Sequence, residues 1–153
     1  MKFKLSALLL GSLLFVITGC NNSEEAPKTT QTKPAKKSLY ERIGKQAAVD
    51  AAVDLFYVKV LADKRVNHFF DDINMNKQKK KQKQFIAAVL GGPVPYTGKD
   101  MRTAHKSLDL KDADFGAIAG HLAATLKELK IDPQLIGEVM TLVATTKNDV
   151  LNK

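Results

Sequence analysis

Apolar side chains in this chain recur at helical spacing, and that periodicity excludes most architectures open to a chain of this size. Val49, Val53, Phe56, Tyr57, Val60 and Leu61 fall at i, i+4, i+7, i+8, i+11 and i+12, one face of an α-helix. Phe115, Ile118, Ala119, Leu122, Leu126 and Leu129 keep a similar register behind Asp112 or Asp114. Leu135, Val139, Leu142 and Val143 do so behind Asp132-Pro133, a cap followed by proline at the first helical position. Asn74 or Asn76 can cap a further helix running to Leu90, where Gly91, Gly92, Pro93 and Pro95 end it. Asp63-Lys64-Arg65 opens a short helical turn that closes at Phe69-Phe70. No segment sustains a period of two, so the expected domain is all-α with about five helices.

The first 37 residues have a different character. Lys2 and Lys4 precede an apolar stretch from Leu5 to Ile17, closed by Thr18-Gly19-Cys20. A charged start, an apolar middle and small residues at a cleavage site are the layout of a secretory signal. The stretch is shorter than the roughly 20 apolar residues that a membrane-spanning helix needs. A cysteine directly after the small residue resembles a bacterial lipoprotein signal. That implies a signal peptide over residues 1–19 and Cys20 as the lipidated first residue of the mature chain. Several acyl chains would anchor it to a membrane, since each buried CH₂ contributes about 0.8 kcal/mol. Asn21 rather than Asp follows Cys20, which by resemblance to Gram-negative sorting signals favours the outer membrane, facing the periplasm; a Gram-positive host stays open. Residues 20–37 form the lipidated cysteine and a segment with two prolines and no large apolar side chain. Such a segment is expected to be a disordered tether spanning about 20–25 Å. Residues 38–153 remain for one domain with one core.

The formal charge of +8 is concentrated in Lys77, Lys79, Lys80, Lys81 and Lys83. A run like this can serve nucleic acid or an anionic surface. Nucleic acid is a poor partner for an exported lipoprotein, and a solvated helix face is the default reading. Cys20 is the only cysteine, so no intramolecular disulfide forms and no Cys-x-x-Cys-His haem attachment exists. The loop Gly91–Lys99 looks loosely like a phosphate-binding loop. Pro93 stands where that motif needs its first glycine, Asp100 where it needs a hydroxyl, and no strand precedes it, which argues against nucleotide binding.

Four polar residues sit where chemistry would be expected. His105 follows the glycine- and proline-rich loop on a short piece of chain. A single histidine is commonly a surface or satisfied core residue, but a neutral imidazole is also a good iron ligand once its other nitrogen bonds a carbonyl. Tyr57 lies on the apolar stripe of its helix, where a phenol needs a hydrogen-bond partner. Gln78, Gln82, Phe85 and Val89 run i, i+4, i+7, i+11, so two amides share an apolar face. Polar groups so placed cost free energy unless paired.

Leu39-Tyr40-Glu41-Arg42-Ile43-Gly44, Phe56-Tyr57, Phe69-Phe70, Gln78 with Gln82, the loop Gly91-Gly92-Pro93-Val94-Pro95-Tyr96-Thr97-Gly98, Met101 and Ala104-His105 together resemble the group 1 truncated haemoglobins. The resemblance covers nearly all of residues 38–153. It implies a 2-over-2 helical sandwich around one non-covalent haem b. It implies His105 as the proximal iron ligand and Tyr57, Gln78 and Gln82 as distal groups that stabilise a bound ligand. Phe69, Phe70, Met75, Phe85, Tyr96 and Met101 become candidate pocket walls, although a plain apolar core would also use several of them. Lys81 and Arg102 become candidate contacts to the haem propionates. His68 and His121 do not match the pattern. Two departures stand out. Gly44-Lys45 replaces the usual paired glycine, which weakens the expectation for that first turn. Ile86 stands where some members carry a phenylalanine proposed to gate a ligand tunnel, which implies a less gated tunnel.

Three functions follow from this reading. The first is reversible binding of O₂, and of NO and CO, at the iron face opposite His105. The second is enzymatic, NO dioxygenase or peroxidase activity; no flavin or nicotinamide site is visible in the domain, so a reductase partner would have to supply electrons. The third is a haem-free helical lipoprotein acting as an interaction module, in which His105 would be dispensable.

Overall fold

The computed structural model describes residues 36–153, and these contain helices and no strand. The signal peptide, Cys20 and most of the tether lie outside the described residues. Seven α-helices appear where about five were expected from periodicity: α1 (Leu39–Ile43), α2 (Lys45–Ala62), α3 (Met75–Val89), α4 (Met101–His105), α5 (Asp112–Glu128), α6 (Pro133–Thr145) and α7 (Lys147–Val150), with a 3-10 turn at Asn67–Phe70. The additional ones are short. An element of four or five residues is too brief to display a repeating apolar stripe.

Helix boundaries follow the local chemistry of the chain. Ser38 and Glu41 close a capping box on α1: the Ser38 hydroxyl accepts from the Glu41 amide at 3.2 Å, and the Glu41 carboxylate accepts from the Ser38 amide at 3.0 Å. Asn74, not Asn76, caps α3 by accepting from the Lys77 amide at 3.0 Å. Asp132 caps α6 through the Gln134 amide at 2.8 Å, with Pro133 at the first helical position. Between α1 and α2 the chain turns through two left-handed residues, Gly44 at φ 112° and Lys45 at φ 60°. The missing second glycine therefore does not remove the turn. Lys45 adopts the conformation, at a cost of about 1–2 kcal/mol for an L-residue.

The long helices form two pairs, α2 with α3 and α5 with α6, joined where α2 packs on α5. α1 bridges α2 and α6, and its Arg42 donates two hydrogen bonds of 2.6 Å to the Glu138 carboxylate. The core is centred on α2, which buries Val49, Ala52, Val53, Phe56, Tyr57 and Val60. Ala87, Leu90, Ala117, Leu126, Ile136 and Val139 meet it from the other helices. Leu61 departs from the expected stripe and is 39% exposed. It lies about 100° of helical rotation from Val60, at the margin of the buried face.

Candidate functional site

Tyr57 is fixed by the core of α2 and is 2% exposed. Its ring sits edge-to-face with Phe56, centroids 5.1 Å apart, and with Phe70 at 5.6 Å. Gln78, on the first turns of α3, donates its Nε2–H to the Tyr57 hydroxyl oxygen at 3.1 Å. Burial pushes the phenol's pKa up, and the Gln78 bond offsets this only in part. The phenol is therefore protonated at neutral pH. It accepts from Gln78 and keeps its own O–H for a further partner. Turning the amide over would make Tyr57 the donor and leave the Gln78 Nε2–H free, so one donor stays available in either arrangement. Gln82 lies one turn further along α3, half-buried, its side-chain amide making no hydrogen bond to protein among the described residues.

His105 ends α4, a five-residue helix capped by Asp100, whose carboxylate takes the Thr103 amide at 2.8 Å and its hydroxyl at 2.7 Å. The Nδ1–H of His105 donates to the Met101 carbonyl oxygen one turn back, at 2.8 Å. That bond keeps a proton on Nδ1 and leaves Nε2 without a protein partner, the arrangement from which the Nε2 lone pair of an imidazole can ligate a metal. Asp100 was not expected as a cap from the sequence, and its part in presenting His105 is clear only from the geometry.

The candidate pocket walls fall into two groups. Phe69, Phe70 and Met75 are half-buried and pack against the core. Phe85, Tyr96 and Met101 are half-buried too, but stand outside the core cluster. The Phe85 and Tyr96 rings meet edge-to-face at 5.2 Å, and Gly98 lies against the Tyr96 ring, with room for no Cβ. Of the five phenylalanines among the described residues, Phe56 alone is buried. A domain that leaves four of five phenylalanines half-covered, one of them against a buried phenol, and that also carries an imidazole Nε2 with no protein partner, fits a flat apolar ligand carrying a metal.

The two candidate propionate contacts have different surroundings. Arg102 donates to the Asp149 carboxylate at 3.0 Å and to the Lys153 carbonyl at 2.9 Å, so it is engaged by the C-terminal segment. Lys81 is exposed and forms no ion pair among the described residues. Its neighbours Lys79 and Lys83 are half-buried and pair with Asp54 at 3.3 and 2.9 Å. These contacts hold the Asp54 carboxyl below its usual range, Lys83 most strongly. Part of the lysine run thus ties α3 to α2 and is no solvated face. His121, which the site does not use, bonds the Asp63 carboxylate at 2.7 Å and joins α5 to the end of α2. Bonds from Arg65 and then His121 keep Asp63 well below the usual carboxylate range.

Comparison with known proteins places this architecture. The Bacterial-like globin family pattern matches residues 38–152. The chain is similar to the group 1 truncated hemoglobin of Tetrahymena thermophila, 49% identical over 116 residues, 76% of this chain and 96% of that protein. Among solved structures it is similar to the truncated hemoglobin of Tetrahymena pyriformis in its Fe(III) form, 46% identical, with a TM-score of 0.73 over 76% of this chain and all of that one. It is also similar to the 2/2 hemoglobin of a Synechococcus species, in the cyanomet state and with covalently attached heme, at 48% identity and the same TM-score and coverage. Solved variants of the T. pyriformis protein replace one tyrosine and two glutamines, at positions separated by 21 and 4 residues. Tyr57, Gln78 and Gln82 carry the same separations. The two helix pairs are the 2-over-2 sandwich of the truncated haemoglobins, a family that binds non-covalent haem b, although the haem of the Synechococcus structure is covalently attached. By sequence, architecture and site residues the chain belongs to the bacterial-like globin family, among the group 1 truncated haemoglobins.

Proposed function

We propose that the domain binds O₂ reversibly, and NO and CO as well, at a haem iron held by His105 Nε2. Haem, when bound, would supply an iron able to take a protein nitrogen and a diatomic gas. His105 would hold the iron through Nε2, oriented by the bond from its Nδ1–H to the Met101 carbonyl oxygen. Tyr57 and Gln78 then offer a hydrogen-bond donor to a gas molecule in the pocket, and Gln82 can add an amide from the next turn of α3. The observation that carries this reading is the Tyr57–Gln78 pair, a buried phenol and an amide with one N–H or O–H to spare. A donor of this kind stabilises a ligand that accumulates negative charge. Removing a hydrogen bond to a charged group costs about 1.5–3 kcal/mol, so Tyr57→Phe should speed O₂ release about 10- to 100-fold in stopped-flow measurements. Unchanged release would remove Tyr57 from the distal role. Consumption of NO under O₂ with an added reductant would move the reading from carrier to NO dioxygenase.

We also propose that the chain is exported and anchored through lipidated Cys20. The support is the sequence Lys2 to Cys20 and its position ahead of the globin match, which begins at residue 38. Radiolabelled palmitate should enter the wild-type protein in a bacterial host and fail to enter Cys20→Ser. Equal labelling of both, or of neither, contradicts the anchor.

A further inference from the structure

His105 sits on a short helix with little holding of its own. None of the five residues of α4 is buried. Its helical neighbour is α7, at the end of the chain. Arg102 of α4 bonds Asp149 and the Lys153 carbonyl oxygen, as described above. On the far side, the Lys147 and Lys153 ammonium groups both reach the Asp112 carboxylate at 2.6 Å, at the first residue of α5. Leu151 is buried, and it lines one groove of about 310 Å³ together with His105 and Leu110. The segment therefore spans from the start of α5 to the helix that carries the candidate ligand, with an apolar residue between two sets of ion pairs.

We propose that residues 147–153 are the positioning element of His105, with Leu151 and Arg102 as its main contacts on the α4 side. This rests on the ligation of haem by His105 proposed above. Surface ion pairs are individually weak. Here they flank a buried leucine and close the segment on both ends, so the group acts together. Outer partners of a metal ligand typically change affinity about 10- to 100-fold when removed, and this segment is the outer partner of the whole helix. Leu151 and Arg102 touch no gas ligand; they act through the orientation of the imidazole.

The test uses the haem-loaded full chain as wild type, Leu151→Ala, Arg102→Ala and Lys59→Ala. The last breaks the Lys59–Glu128 pair between α2 and α5 and serves as a control. Haem transfer to excess apomyoglobin should be about 10-fold faster in Leu151→Ala, and faster to a smaller degree in Arg102→Ala, with Lys59→Ala unchanged. The iron–histidine stretching band of the ferrous protein should shift in the same two variants. Amide exchange should rise from Thr103 to Lys106 while α2 stays protected. If Leu151→Ala loses protection throughout, Arg102→Ala and Asp149→Asn decide. Wild-type haem retention, band and α4 protection in those variants would overturn the proposal. A wild-type chain that takes up no haem would defeat the proposed function instead, and α4 exchange would still report whether the C-terminus holds the helix.

Discussion

The Tyr57 and His105 sides of the candidate site are supported in different ways. Tyr57 stands on an 18-residue helix packed between α3 and α5, with its ring held by two aromatic neighbours and its hydroxyl by Gln78. His105 stands on a five-residue helix with no buried side chain, held by a cap, one carbonyl bond and the chain terminus. Tyr57, the proposed distal donor, is part of the hydrophobic core and cannot move without disturbing the fold. His105, the proposed proximal ligand, rests on local bonds and can loosen while the rest stays folded, as segments with few buried contacts do. One domain thus combines a rigid recognition side with an adjustable anchoring side.

The contrast can be broken most severely on the distal side. Phe56→Ala removes a core ring that also supports Tyr57, and it should cost about 3–5 kcal/mol in urea unfolding. A loss below 1 kcal/mol would mean that α2 is not the centre of the core. Gly92→Ala is next. Its Cβ would lie 2.6 Å from the Ala87 carbonyl oxygen, which already accepts the Gly92 N–H at 2.8 Å. Overpacking against backbone should cost about 1–3 kcal/mol, seen as a lower urea midpoint with unchanged slope.

Finer effects sharpen the comparison. A double-mutant cycle of Tyr57→Phe and Gln78→Leu, read by O₂ release rates, should show coupling of about 0.5–3 kcal/mol, because the two side chains share one hydrogen bond. Additive effects would separate them. Lys45→Gly relieves a left-handed lysine, so it should stabilise the domain by about 1 kcal/mol or less once glycine's extra unfolded entropy is counted. The smallest effect is electrostatic. Lys147 and then Lys153 hold the Asp112 carboxyl at about 2, below its ordinary 3.8. A depressed carboxylate contributes stability that is complete above the ordinary value and is lost as pH falls toward about 2. Asp112→Asn should therefore flatten part of the decline in melting temperature between pH 4 and pH 2, and an unchanged profile would show that this end of the C-terminal clamp contributes nothing.

Legibility in the sequence tracked the distance along the chain over which each feature is encoded. The buried positions Val49, Val53, Phe56, Tyr57 and Val60 follow from periodicity alone, and Asp132-Pro133 marked its helix start from two adjacent residues. Gln78 and Gln82 were visible as amides on an apolar face, although the bond to Tyr57 joins residues 21 apart. The support of α4 could not be read in this way. Arg102 meets Asp149 across 47 residues, and His121 meets Asp63 across 58. No local pattern encodes such pairs, because each partner looks like an ordinary surface charge in its own segment. For the same reason the bonds of Arg102 to Asp149 and the Lys153 carbonyl oxygen were not foreseen beside its reading as a propionate contact. His105 was informative only as part of the resemblance, and the fold adds the reason that it can serve: a proton kept on Nδ1 and an Nε2 without a protein partner.

The central claim is that His105 is the haem ligand, and imidazole rescue tests it most directly. Titration of haemin into the reduced full chain should give an intense porphyrin band for wild type. His105→Gly should lose or displace that band, and added free imidazole should restore it. A His105→Gly spectrum identical to wild type before any imidazole is added would contradict the account and place the iron on another residue.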